Sequence, residues 1–165
     1  MARGRPLNVQ AELLEAFQRS GAVNVYLVSV LPEELWRLDP PTGRGRTMAA
    51  NVAHMQSVRR TFARMAGARS AGRSLDRRRV TRAQAQVALM ASTLALAKAF
   101  AASFEEGRAR VKGQPRRAVD MLTYLMQHDA HHRGQICALA KDLGHRFTSD
   151  DIMRLWGWKK LAGAD

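Results

Sequence analysis

The chain has 165 residues, 46% of them apolar and only 6% aromatic, and it carries a formal net charge of +13. That length suits one ordinary domain over residues 1–165 with a core of useful size, and the apolar share excludes a disordered chain. The apolar content leans on Ala, Leu, Val and Met, which favours helices, and β-branched residues are too sparse for an extensive sheet.

Arginine dominates the charge, with 22 Arg against five Lys. Clustered cations release counterions from phosphates and so invite a nucleic-acid reading. No recognition motif accompanies the charge, so a solvated cationic face is the favoured reading. The single cysteine, Cys137, cannot form an intramolecular disulfide and fits a reducing compartment. No 18-residue apolar run is evident, so nothing is expected to span a membrane. Met1 to Pro6 precede no apolar core of the signal-peptide kind. A soluble, cytoplasmic protein is expected.

A first helix is expected from near Asn8, with Leu13, Leu14, Phe17, Ala22, Val25 and Val28 near helical spacing. Gly21 inside it marks either a break or a close helix approach. The helix should stop before Pro32, because the residue ahead of a proline avoids the α region. Residues 32–46 carry three prolines and two glycines and read as a connection, with a short turn near Glu33 to Leu38 and Trp36 packed on the bundle.

Thr47 is a suitable cap for a second helix, in which Met48, Val52, Met55, Val58 and Phe62 follow at steps of three or four. That helix fades near Gly67. Residues 68–79 read as an exposed loop with Arg69, Arg73, Arg77, Arg78 and Arg79 at its cationic tip. This second connection could cross over.

Thr81 and Gln84 have capping-box spacing and open a third helix that runs to about Glu106, with an apolar stripe of Ala88, Leu89, Leu96, Ala99 and Phe100. Gly107 is a plausible stop. Pro115 fits the first turn of a fourth helix, which continues through Leu122, Leu125, Ile136 and Leu139 to a Gly144 cap. A final short helix, capped by Ser149 or Asp150, should carry Ile152, Met153, Leu155, Trp156 and Trp158. The fold class is therefore all-α, a four-helix bundle with an additional short C-terminal helix.

Three of the five histidines lie in His128-Asp129-Ala130-His131-His132. Residues i and i+4 of a helix share one face, so His128 and His132 can aim two imidazoles at one ion. Bundle metal sites draw further ligands from neighbouring helices, and His54, mid-helix among small and apolar residues, fits as the third. His131 could replace one of the pair, act as a partner behind a ligand, or serve as an acid–base group. His145, in a loop after Gly144, is less suited. Asp129 is rotated about 100° from His128 and is expected to face elsewhere, which leaves no general-base carboxylate in view.

The string His128-Asp129-Ala130-His131-His132-Arg133-Gly134-Gln135-Ile136 closely resembles the hallmark of the DinB-like (DinB/YfiT) family. Asn51-Val52-Ala53-His54-Met55 with Val58-Arg59-Arg60, the opening helix with Asn24, and Leu31-Pro32-Glu33-Glu34 with Trp36 resemble it too. Leu155-Trp156-Gly157-Trp158 is compatible, and the likeness spans roughly Leu7 to Trp158.

The resemblance implies a bundle with a divalent ion, zinc or nickel, held by His54, His128 and His132. Three protein ligands leave one position open, the pattern of a catalytic site. It implies a metal-dependent enzyme of thiol-transferase or hydrolase type acting on a small molecule, with a low-molecular-weight thiol as partner, and a homodimer. His131, Gln135 and Asn24 are the candidates for orienting groups or moving protons. Arg133 is expected in a structural ion pair, and Gly134 at a close helix contact. The alternatives are a non-enzymatic stress or interaction protein with a structural metal, and a nucleic-acid binder using residues 69–82.

Overall fold

The computed structural model describes residues 6–159 and 161; the N-terminal reading of residues 1–5 lies outside them. Five helices follow in order: α1 (Val9–Val30), α2 (Met48–Met65), α3 (Arg82–Glu105), α4 (Ala118–Asp142) and α5 (Ser149–Leu155). No strand occurs among the described residues. The chain is all-α, a bundle of four long helices with a short fifth.

The helix starts are set locally. Asn8 accepts from the Ala11 amide at 3.1 Å, and Thr47 accepts from Ala50 at 3.1 Å. Thr81 and Gln84 form the expected capping box. α1 ends before Leu31, which is extended ahead of Pro32.

Two starts differ from expectation. α4 begins at Ala118 rather than at Pro115, because the Ala118 amide donates across the loop to the Ala109 carbonyl at 2.9 Å. The Gln114 side chain also ties that loop to the Phe62 carbonyl at 2.6 Å. α5 is capped by Thr148, not by Ser149 or Asp150, in a capping box with Asp151. Trp156 and Trp158 lie beyond its last turn and are exposed.

Two apolar clusters give the topology. One joins the C-terminal halves of α1 and α4 to the N-terminal halves of α2 and α3, through Leu27, Ile136, Val52 and Leu89. The other joins the opposite halves, through Phe17, Leu122, Ala63 and Leu96. Hence α1 and α4 run one way, and α2 and α3 run the other. α1 packs on α3 and α4 but not on α2, so α1 and α2 sit on a diagonal.

α2 and α3 are parallel neighbours, so their connection must travel back along the bundle. The 68–79 segment does so as a crossover. Gln56, fully buried in mid-α2, donates to the Ala71 and Arg73 carbonyls at 3.1 and 3.2 Å. The segment's backbone is therefore docked, while the five arginine side chains named above stay exposed. Trp36 is fully buried and donates its indole N–H to the Val80 carbonyl at 2.7 Å, which closes the end of the crossover.

Gly21 is a close approach and not a break. A Cβ there would lie 2.5 Å from Thr93 Oγ1 and Cγ2. α3 is long and apolar enough to cross a membrane by length and composition alone, which corrects the expectation that no such run exists. Its Ala85, Leu89, Leu96 and Phe100 form the buried stripe of a core helix.

Candidate metal centre

His54 sits in the first half of α2, and His128 and His132 lie one turn apart on α4, which runs antiparallel beside it. Their ligand atoms all lie within 4.8 Å of one another. His128 Nε2 is 3.4 Å from His54 Nε2. Two bonds of about 2.0–2.1 Å at a tetrahedral angle place their nitrogens about 3.3–3.4 Å apart. The His54–His128 pair therefore has the spacing of two ligands on one ion, with His132 close enough to be the third.

Two of the rings, His54 and His132, are held toward the neutral form that a metal needs. Burial pulls His54 below the ordinary imidazole value, helped by Arg46 and by His128. Burial likewise takes His132 down to about 4, with the Gln135 hydrogen bond opposing and His128, His54 and His131 adding to the fall.

Gln135 fixes one ring. Its Oε1 lies 2.8 Å from His132 Nδ1, and an amide oxygen only accepts, so Nδ1 carries the hydrogen and Nε2 keeps its lone pair. The Gln135 amide nitrogen reaches His131 Nε2 at 3.0 Å. His131 is exposed and stands outside the triad, joined to it only through Gln135 and a ring contact with His132 at 5.1 Å. His145 packs on Phe147 instead.

This gathering of one histidine from α2 and an i, i+4 pair from α4 coincides with a match of the chain, over residues 5–160, to the model of the DinB family. The chain belongs to the DinB family. No curated protein and no solved structure matches it.

Behind the triad of this DinB-family protein lies a polar layer that sequence reasoning missed. Arg59 of α2 and Asp129 of α4 are both fully buried, with Nη2 and Oδ2 3.0 Å apart. Asn24 of α1 donates to Asp129 Oδ2 at 2.9 Å, and Thr93 of α3 accepts from Arg59 Nη1 at 2.6 Å. The Arg59 guanidinium also lies over the Phe17 ring, 5.4 Å from its centre. Burial alone would raise the Asp129 carboxyl, but Arg59 first, then His128, Asn24 and Arg133, hold it below its ordinary value.

Each of the four long helices contributes one residue to this layer, at the point along its length between the two apolar clusters. The signal was present in the spacing. Val52, Met55, Arg59 and Ala63 form one buried stripe, and Leu125, Asp129, His132 and Ile136 form another.

Asn24 stands behind the triad, where its amide holds Asp129 and accepts from Arg133 at 2.7 Å. Two expectations are corrected here. The partners of Arg133 are that neutral amide and the Ser20 hydroxyl at 3.2 Å, not a carboxylate. Gly134 is exposed and a Cβ there would meet nothing, so it marks no close contact.

Proposed function

We propose that this protein binds a divalent ion, zinc or nickel, through His54, His128 and His132, and that it is a metal-dependent enzyme of thiol-transferase or hydrolase type. The observation that carries this reading is the convergence of three imidazoles from two helices within 4.8 Å, at a place where His54 and His128 are only partly buried. All-imidazole donor sets suit these two metals, and three protein ligands leave a position for a small molecule.

Such an ion lowers the pKa of a bound thiol or water toward neutrality. The chain's own part is to hold His54 and His132 toward the neutral form, to orient His132 through Gln135, and to offer His131 at the rim as a proton-handling group. Asp129 is clamped behind His128 and offers no base on the open side, which supports thiol chemistry over carboxylate-assisted hydrolysis. Burial pushes the Cys137 thiol up despite Arg133, which favours an added small thiol over this cysteine as the nucleophile.

The test is metal analysis of the purified protein, followed by a screen of bacillithiol, mycothiol and simpler thiols against electrophiles. Metal-dependent thiol consumption that disappears in His132→Ala supports the enzyme. A bound metal with no turnover of thiols or esters favours the structural-metal alternative. A protein that takes up no zinc or nickel sinks the whole reading.

A homodimer in the cytoplasm is part of the proposal. Val87, Met90 and Leu94 form an exposed apolar strip on α3, and that supports a second copy as neighbour. Light scattering at several concentrations decides it. The exposed arginines of the crossover support the nucleic-acid alternative, which requires DNA retention that weakens with salt.

A further inference from the structure

Two stranded polar atoms face each other immediately behind His128. Its Nδ1 is buried and has no hydrogen-bond partner. Asp129 Oδ1 is buried, is equally without a partner, and faces that nitrogen at 4.0 Å. A stranded buried donor or acceptor carries a desolvation cost, and these two are complementary: an imidazole N–H can donate and a carboxylate oxygen can accept.

The carboxylate's other oxygen is already engaged. Asn24 Nδ2 donates to Oδ2 at 2.9 Å from α1, and Arg59 Nη2 stands 3.0 Å from it on α2. Asp129 is therefore clamped from two other helices, with one oxygen left over and aimed at the back of a histidine on its own helix. A fully buried ion pair adds little stability over an apolar pair of similar volume, so the clamp calls for a role beyond holding the bundle together.

We infer that Asp129 is a positioning residue for His128: its free Oδ1 accepts the Nδ1 hydrogen of His128, so that Nε2, the atom turned toward His54, is the one left with a lone pair for the ion. The inference rests on the proposed metal-binding role of the triad. The two α4 histidines are then oriented by different groups, His132 by a neutral exposed amide and His128 by a buried carboxylate. Arg59 and Asn24 act one step further back. They keep that carboxylate charged and fixed in direction.

The test uses the full chain with Zn²⁺ or Ni²⁺ alone, titrated calorimetrically, and side-chain ¹⁵N spectra of the histidines in metal-free protein. The double variant Arg59→Met with Asp129→Leu removes the clamp without stranding a charge. It is expected to keep the helical circular dichroism and a cooperative melt while binding the ion about 10–100-fold more weakly, the usual effect of losing a partner behind a ligand.

The spectra should show His128 as the Nδ1–H tautomer in the wild type and as a mixture in the double variant. Equal affinity together with an unchanged His128 tautomer overturns the inference. If the double variant does not fold, the wild-type spectra decide: an Nδ1–H tautomer of His128 supports the proposal, and an Nε2–H or mixed tautomer refutes it. Should the wild type bind no ion, the metal reading falls on its own, and the His128 tautomer in the metal-free protein still decides whether Asp129 orients that ring.

Discussion

Arg59 and Asp129 form an ion pair in which neither side chain has any exposed surface, at the centre of a bundle whose other interior contacts are largely apolar. Removing one partner leaves a charge with no water and no counter-charge. Arg59→Ala, or Asp129→Ala, is expected to destabilise the fold by about 3–5 kcal/mol. Replacing both with Met and Leu should cost far less. Chemical denaturation of the three variants checks this, and equal losses for the single and double changes would refute it.

Gly21 faces Thr93 with no room for a Cβ, which would lie 2.5 Å from the threonine side chain. Thr93 cannot swing away freely, because its hydroxyl accepts from Arg59 and donates to the Leu89 carbonyl. Gly21→Ala therefore separates α1 from α3 or breaks the polar layer, at a cost of about 1–3 kcal/mol despite alanine's better helix propensity. Thermal melts that show a stabilised variant would contradict the close approach.

Gln135 holds His132 through Nδ1 at 2.8 Å and lies outside the buried core. Gln135→Ala should leave stability within about 0.5 kcal/mol, as exposed substitutions usually do. It should also weaken zinc or nickel binding by about 10-fold or more. His54→Ala should reduce binding much further, since it removes a donor. The measurement is competition with a chelating dye, and unchanged affinity for both variants means that the triad does not hold the ion.

Acid should destabilise the metal-free protein well above the carboxylate range. His132 titrates at about 4 in the folded chain and returns to the ordinary 6.5 on unfolding. Between those values the unfolded state binds the extra proton, so stability falls as the pH drops from about 6.5 to about 4. His54 is shifted in the same direction and adds to the slope. Denaturant midpoints across this window provide the check, and His132→Phe should flatten the profile. A level wild-type profile is incompatible with a ring buried in its neutral form.

Much of the site was readable along the chain because its logic is local. The i, i+4 spacing of His128 and His132 puts them on one helical face whatever else the chain does, and the caps at Asn8, Thr47 and Thr81 act within four residues. Spacing alone left His131 free to replace one of the pair, and the family resemblance set it apart. Its link through Gln135 is an i, i+4 contact within α4, and only its exposure needed the packed structure. Arg59 and Asp129 escaped notice because a charged residue on an interior stripe reads as a surface residue unless its counter-charge is known, and here the partner is on another helix, 70 residues away by numbering.

The sequence by itself determined the helices, the caps of α1, α2 and α3 and a pair of imidazoles aimed in one direction, since hydrogen bonds and side-chain periodicity within a helix involve only near neighbours. Only the tertiary structure decided that α2 and α3 run parallel with the arginine-bearing segment crossing between them. It also decided that His54 meets the α4 pair, and that one polar residue from each long helix closes into a layer behind His128. Those outcomes depend on which helices become neighbours, and that is settled by burying two apolar clusters at once, a balance no single segment carries.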